Sequence, residues 1–266
     1  MKIYDCITYF DEEIILKIRL NILYNIVDKF IISEGAFNHR GIRRKLNFNI
    51  ENYPEFSDKI IYLSVEDFPN LNDPWSMLKH QRNSANKLLN ELNENDYVIV
   101  SDVDEIPNPS KILEFVKKNS DIGVFEQLMF YYKLNILNET SPFWHGSKIC
   151  KFKYFKQPEW LRAYKHKQYG WWRIDKPKNL KIIKDGGWHY SFLYNLEGII
   201  KKISSYQHTE YDNVNIKNKD NLEYKINNKL DIFGRNYKYK KVTIDNKTSP
   251  DYIIKNQSLL ADWIDK

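Results

Sequence analysis

Residues 97–110 read YVIVSDVDEIPNPS. Four apolar or aromatic residues run into Ser101; Asp102, Asp104 and Glu105 follow, and Pro107 closes the run. A short, continuously apolar stretch of this kind is expected of a strand buried on both faces of a parallel sheet. At its end, a D-x-D step on an extended chain sets Asp102 and Asp104 on the same side of the backbone. Carboxylates packed so closely repel one another and resist burial, so a cation is expected among them unless all stand in water. Oxygen ligands of this type suit Mn²⁺ or Mg²⁺, with phosphate oxygens completing the shell. Two other readings stay open. The aspartates would cap the following helix while Glu105 pairs with a lysine, or Asp102 would be a phosphatase-type nucleophile. The second also needs a paired acidic loop, and the KDGGWH segment offers Lys184 and Asp185 with no second acid near.

Outward from that strand the periodicity alternates between strand and helix. Ile3, Cys6 and Ile7 predict a first strand, and Asp11 a cap for a helix carrying Ile14, Ile15, Ile18 and Ile22. VDKFIIS predicts a second strand ending at Glu34, and KIIYLSV a third. Asp73-Pro74 then starts a helix expected to run from Trp75 to Leu92. Beyond the acidic cluster come a helix over 111–118, one strand over IGVFEQLMFYY, a strand with a glycine break at LKIIKDGGWHYSF, a helix at LEGIIKKISSYQ and a last helix in PDYIIKNQSLLADWI. This order predicts an α/β fold, an open and mostly parallel sheet flanked by helices, with ligands outside the carboxyl ends of the strands. No linker divides the chain. Residues 1–135 are expected to form the nucleotide and metal part and 136–266 the acceptor side.

Composition narrows the classes. With 42% apolar and 29% charged residues the chain is globular rather than disordered. The net charge of +6 favours a polyanionic partner, a diphosphate or an anionic membrane surface among them, or is simply a solvated lysine-rich surface. Aromatic residues reach 15%, and flat amphipathic rings suit sugars and bases. Only Cys6 and Cys150 are present, without metal-ligand spacing, which predicts a reducing compartment and no zinc site. The start, MKIYDCITYF, does not read as a signal peptide, and no run reaches the ~18 apolar residues of a membrane span.

The motifs resemble glycosyltransferase family 17, which includes β-1,4-N-acetylglucosaminyltransferases. The resemblance rests on DVDEIP at 102–107 preceded by DYVIV, on DCITYFDEE with Arg19 downstream, on VDKFIISEGAF, on GGWHYSF and on KKISSYQHTE. It implies a GT-A type fold and an inverting, metal-dependent transfer of a sugar, GlcNAc from UDP-GlcNAc, onto a glycan acceptor. The chain differs from animal members in lacking their amino-terminal anchor, so a cytoplasmic enzyme of surface polysaccharide or glycoconjugate synthesis is expected, in peripheral contact with an anionic membrane or a lipid-linked acceptor at its inner face.

Roles follow. Asp104 is expected to bind Mn²⁺ or Mg²⁺ directly, and Asp102 through water, or else to hold the donor ribose. His189 is a candidate third metal ligand or diphosphate contact, its glycines allowing close approach, with a packed core histidine as the alternative. Lys202 is placed to reach a phosphate unless it is solvated. Glu34, at the end of the second strand, is expected near the nucleotide. For the catalytic base Glu210, Glu105, Asp185 and Glu126 compete; the resemblance favours Glu210, with His208 beside it. Glu105 would instead lock the loop by pairing with Arg82 or a backbone amide. Arg19 is expected to tie helix to loop, and Asp96 to be structural. Tyr169, Trp171 and Trp172 are either acceptor-stacking or core residues. The rival class is a nucleic-acid-binding module built on the basic, aromatic stretch 148–178. A carbohydrate-binding protein without catalysis is a third.

Overall fold

The computed structural model describes residues 1–165, 180–205 and 211–266. Its frame is a seven-stranded sheet in the order β11-β6-β10-β4-β1-β2-β3, where β1 is Ile3–Tyr9, β2 Lys29–Gly35, β3 Ile60–Val65, β4 Tyr97–Asp102, β6 Ile122–Phe125, β10 Lys148–Lys151 and β11 Leu180–Ile183. β3, β2, β1 and β4 are parallel, β10 runs antiparallel between β4 and β6, and β11 is parallel to β6. Strand β4 is buried on both faces, as YVIV predicts. Tyr97 and Ile99 join the core with α1 (Glu13–Leu23), whereas Val98 and Val100 join the opposite core with Leu89 and Leu161. Cys6 and Cys150 are buried free thiols.

The chain steps sideways from β1 to β2 and β3 and then returns to lay β4 on the other side of β1. At this reversal the connections leave in opposite directions and a crevice opens at the strand ends. Thr8 lies opposite Asp102 there.

A second sheet has the order β13-β8-β7-β12-β5, with β9 also paired to β7. Its strands are β5 Glu105–Pro107, β7 Gln127–Tyr131, β8 Ile136–Asn138, β9 Phe143–Trp144, β12 Gly187–Ser191 and β13 Tyr239–Lys241. The chain therefore leaves the first sheet for the second between Asp102 and Glu105, at Glu126 and at 184–186, and returns to the first before β6 and before β10. The single strand expected over IGVFEQLMFYY is thus two strands in different sheets, because the chain bends at Glu126. There the Glu126 amide donates to the Ile183 carbonyl (2.9 Å), and the Gly186 amide donates to the Glu126 carbonyl (2.8 Å). A Cβ on Gly186 would meet Glu126 backbone, and Gly187, at φ +126°, would drive one into the Ile106 carbonyl. These glycines admit neighbouring protein backbone rather than a ligand.

Other boundaries shift for local reasons. The helix α2, Pro74–Ser84, is capped by Asp73 as expected, but the chain tightens to a 3₁₀ turn over Ala85–Leu88 instead of continuing to Leu92. Asparagines at 83, 86 and 90 favour side-chain-to-backbone bonds over helix, and Asn83 accepts from the Glu159 amide (2.8 Å). Asp11 does not cap α1; it accepts from Tyr194 Oη (2.9 Å) and pairs with Lys201. Helix α3, Pro109–Lys117, is capped by Asn108, which removes the reading of Asp102 and Asp104 as its caps. Helix α4 spans Pro158–Arg162 and α5 Leu196–Ser205. The carboxyl-terminal helix is confined to Asp251–Lys255 with a later 3₁₀ turn. Among the described residues no helix is long and apolar enough to cross a membrane.

Candidate active site

A cleft of about 200 Å³, open to solvent, lies at the strand reversal. Thr8 to Phe10 at the end of β1, Gly35 and Phe37 to His39 after β2, and Leu78 and Gln81 of α2 line one side. Asp102 to Glu105, Trp144, His189, Phe192 and Lys202 also line the cleft.

The positive charge among the three carboxylates comes from side chains. Asp102 Oδ1 accepts from Arg82 Nη2 (2.9 Å) and Thr8 Oγ1 (3.2 Å), and its Oδ2 accepts from Arg162 Nη2 (2.9 Å). Burial pushes the Asp102 carboxyl up, but the guanidinium groups of Arg162 and Arg82 outweigh it and hold the group well below the usual carboxylate range. Asp104 faces Lys202 Nζ through Oδ2 (3.3 Å) and His189 Nε2 through Oδ1 (3.5 Å). Burial is again outweighed, here chiefly by the Lys202 ammonium, and the carboxyl is held well below its ordinary value.

Glu105 is the keystone of the loop. Its Oε2 accepts from the Asp102 amide (3.0 Å) and Arg162 Nη1 (2.7 Å), and its Oε1 from Arg162 Nη2 (2.7 Å) and Trp144 Nε1 (2.6 Å). With every contact direction used, it locks the turn rather than standing free as a base; its arginine is Arg162, not Arg82. Arg19 ties helix to loop as expected: it pairs with Asp5, both fully buried, and donates to the Glu105 carbonyl.

Because both aspartyl groups sit below the value of about 3.9 for an unfolded Asp, their pairing stabilises the fold fully above that pH. As pH falls below about 4 the unfolded chain binds more protons than the folded one, and that stability is lost. The melting temperature is therefore expected to drop between pH 5 and 3, less steeply in Asp102→Asn; equal slopes would contradict the assignment.

Several expected site residues are elsewhere. Glu34 is fully buried, accepting from the amides of Asn47 (2.7 Å) and Phe48 (3.0 Å) and from Tyr62 Oη (3.0 Å), and pairing with Arg44 (2.9 Å). It braces the loop after β2 and is not available to a nucleotide. Glu126 pairs with Lys184 and His145, and Asp185 is an exposed turn residue; neither lines the cleft. Asp96 is structural, accepting from the amides of Lys2 (2.6 Å) and Asn93 (2.7 Å). His208, Glu210, Tyr169, Trp171 and Trp172 lie outside the described residues. The basic stretch of the rival reading is in part interior: Lys148 and Lys151 are buried, and Lys148 Nζ donates to the carbonyls of His145 (3.0 Å) and Gly146 (2.6 Å). Burial lowers the Lys148 ammonium to about 7.

Two further groups face the cleft without a sequence signal that marks them. Glu12 Oε2 accepts from the amides of Phe10 (2.9 Å) and Asp11 (3.1 Å) while Oε1 stands 3.7 Å from Lys202; burial raises its carboxyl. Burial lowers His39 to about 4, so its ring is neutral near pH 7, and its buried Nδ1 has no hydrogen-bond partner among the described residues. Among the described residues no group of three or more His, Cys, Asp or Glu side chains is arranged to hold a metal ion.

The sequence matches the model of glycosyltransferase family 17 over residues 1–251. No curated protein matches it. Among solved structures, S. aureus TarS is similar with 13% identity and a TM-score of 0.43, over 76% of this chain and 40% of that one. The 1–349 form of S. aureus TarS is similar with 13% identity and a TM-score of 0.42, over 76% and 65%. The chain thus spans less than two thirds of either protein's length.

Proposed function

Since the chain belongs to glycosyltransferase family 17, we propose that this cleft moves a sugar, GlcNAc from UDP-GlcNAc, onto a hydroxyl of a glycan acceptor with inversion at the anomeric carbon. One observation carries the reading: Asp104, flanked by Lys202 and His189, lies at the strand reversal where open α/β sheets bind nucleotides. The acceptor belongs to surface polysaccharide or glycoconjugate synthesis.

In the reaction the acceptor oxygen bonds to the anomeric carbon as the bond to the diphosphate breaks; the hydroxyl proton passes to a base and UDP departs. Lys202 is the chain's own cation for the departing diphosphate, held in place by Asp104 and Glu12. Glu210, with His208 beside it, is the base in this proposal.

A divalent cation fits only part of the expected ligand set. Asp104 Oδ1 and His189 Nε2, 3.5 Å apart, approximate the ~3 Å between neighbouring ligands on a Mn²⁺ or Mg²⁺ ion, and one or two protein ligands suffice where phosphates supply others. Asp102 does not fit as a direct ligand, because both its oxygens are held by guanidinium groups. Bound between Asp104 and His189, the ion would add charge stabilisation of the leaving group.

The test is thermal. UDP with Mn²⁺ at a hundredfold excess over the dissociation constant is expected to raise the melting temperature by roughly 5–10 °C, more than either alone. Across a panel of nucleotide sugars, UDP-GlcNAc should be hydrolysed fastest. No shift with UDP and no hydrolysis of any UDP-sugar would reject the reading.

A further inference from the structure

We infer that the indole of Trp144 is a stacking platform for a pyranose ring in the cleft. This rests on the glycosyl-transfer reading above and adds to it the group that positions a sugar.

Trp144 is 40% exposed although it is among the largest apolar side chains in the protein, and exposure of such a ring is unfavourable unless something covers it. Its place is enforced. Trp144 Nε1 donates to Glu105 Oε1 (2.6 Å), and Glu105 is itself gripped by Arg162 and the Asp102 amide, so the ring is pinned to the same carboxylate that locks the acidic turn. Gly146 is the residue that permits this: a Cβ there would collide with both Glu105 Oε1 and Trp144 Nε1. The indole and the His189 ring are tilted against each other, with centroids 5.2 Å apart and planes at 41°, while the Trp144 side chain lines the cleft.

With its N–H taken by Glu105, the indole has only carbon surface left to offer a ligand in the cleft. The face of an indole carries negative quadrupole charge, and the C–H face of a pyranose is apolar and weakly positive, so the two stack. Because His189 adjoins Asp104 on the other side, a sugar on this platform sits beside the proposed reacting centre. Phe143, 50% exposed, is the neighbouring residue on β9 and points to the opposite face of the sheet, which makes it the natural control.

The experiment is saturation-transfer NMR on the whole chain with UDP and Mn²⁺ present, using methyl β-glycosides of GlcNAc, glucose and galactose as acceptor probes, and UDP-GlcNAc in a separate arm as the donor probe. Trp144→Ala is expected to abolish transfer to the pyranose C–H protons in one arm, and the affected arm identifies the sugar as acceptor or donor; Phe143→Ala should leave both arms as in the native chain. Trp144→Phe, which keeps a ring but loses the pin, should weaken binding about tenfold relative to the native chain, in keeping with loss of orientation. Undiminished transfer in both arms with Trp144→Ala would overturn the inference, as would equal losses in Phe143→Ala. The thermal response to UDP and Mn²⁺, measured on the same variants, tests the underlying reading separately: if it persists while the stacking signal is unchanged, only the platform is wrong.

Discussion

Asp104→Asn is expected to reduce sugar transfer by about a thousandfold, equivalent to about 4 kcal/mol of lost transition-state stabilisation. The substitution keeps size and hydrogen-bonding capacity but removes the negative charge that aims Lys202 into the cleft and that faces His189. Lys202 keeps Glu12 at 3.7 Å, so its charge is not stranded and the fold should survive. The change should therefore appear in kcat, together with loss of the additional thermal shift that Mn²⁺ gives in the presence of UDP. Activity within about tenfold of the native chain, with the Mn²⁺ response intact, would remove Asp104 from the chemistry.

Arg162→Met should have the largest effect on stability. The guanidinium is the common partner of Asp102 and Glu105, and Glu105 is only 1% exposed. Removing one member of a buried ion-pair network leaves carboxylates uncompensated, at a cost of about 3–5 kcal/mol. For a chain of this size that corresponds to a fall in melting temperature of roughly 10 °C, readable by calorimetry. Adding Glu105→Gln to Arg162→Met should recover part of the loss, because the stranded charge goes with it. A melting temperature within about 2 °C of the native value in the single variant would show that Arg162 is not what holds the acidic turn together.

The two expectations separate roles that look identical along the chain. Asp102, Asp104 and Glu105 are carboxylates within four positions that all line the cleft, yet Asp102 and Glu105 are committed to guanidinium groups from α2 and α4 whereas Asp104 meets Lys202 and His189. Arg82 lies 20 residues before Asp102 and Arg162 lies 60 beyond it, distances at which no local pattern links them. Glu34 shows the reverse case. Its position at the end of β2 is where a nucleotide contact is expected, but the loop that follows folds back and takes its carboxylate for its own amides.

What the amino-acid order determined by itself was local and periodic. The apolar run YVIV required a strand covered on both faces, Asp73-Pro74 started α2, and alternating strands and helices required an open α/β sheet. The D-x-D step marked the end of β4 as the place for chemistry, but not through a strand's period of two: β4 stops at Asp102 and Asp104 stands in the turn that follows, facing different partners. Tertiary structure alone decided where the chain leaves one sheet for the other, since the bends at Glu126 and Gly186 depend on bonds the two segments make with each other. It also decided which carboxylate meets a lysine and a histidine rather than an arginine. Charge pairing depends on distance in space, and burial makes each pairing strong enough to reassign a residue's role, neither of which periodicity encodes.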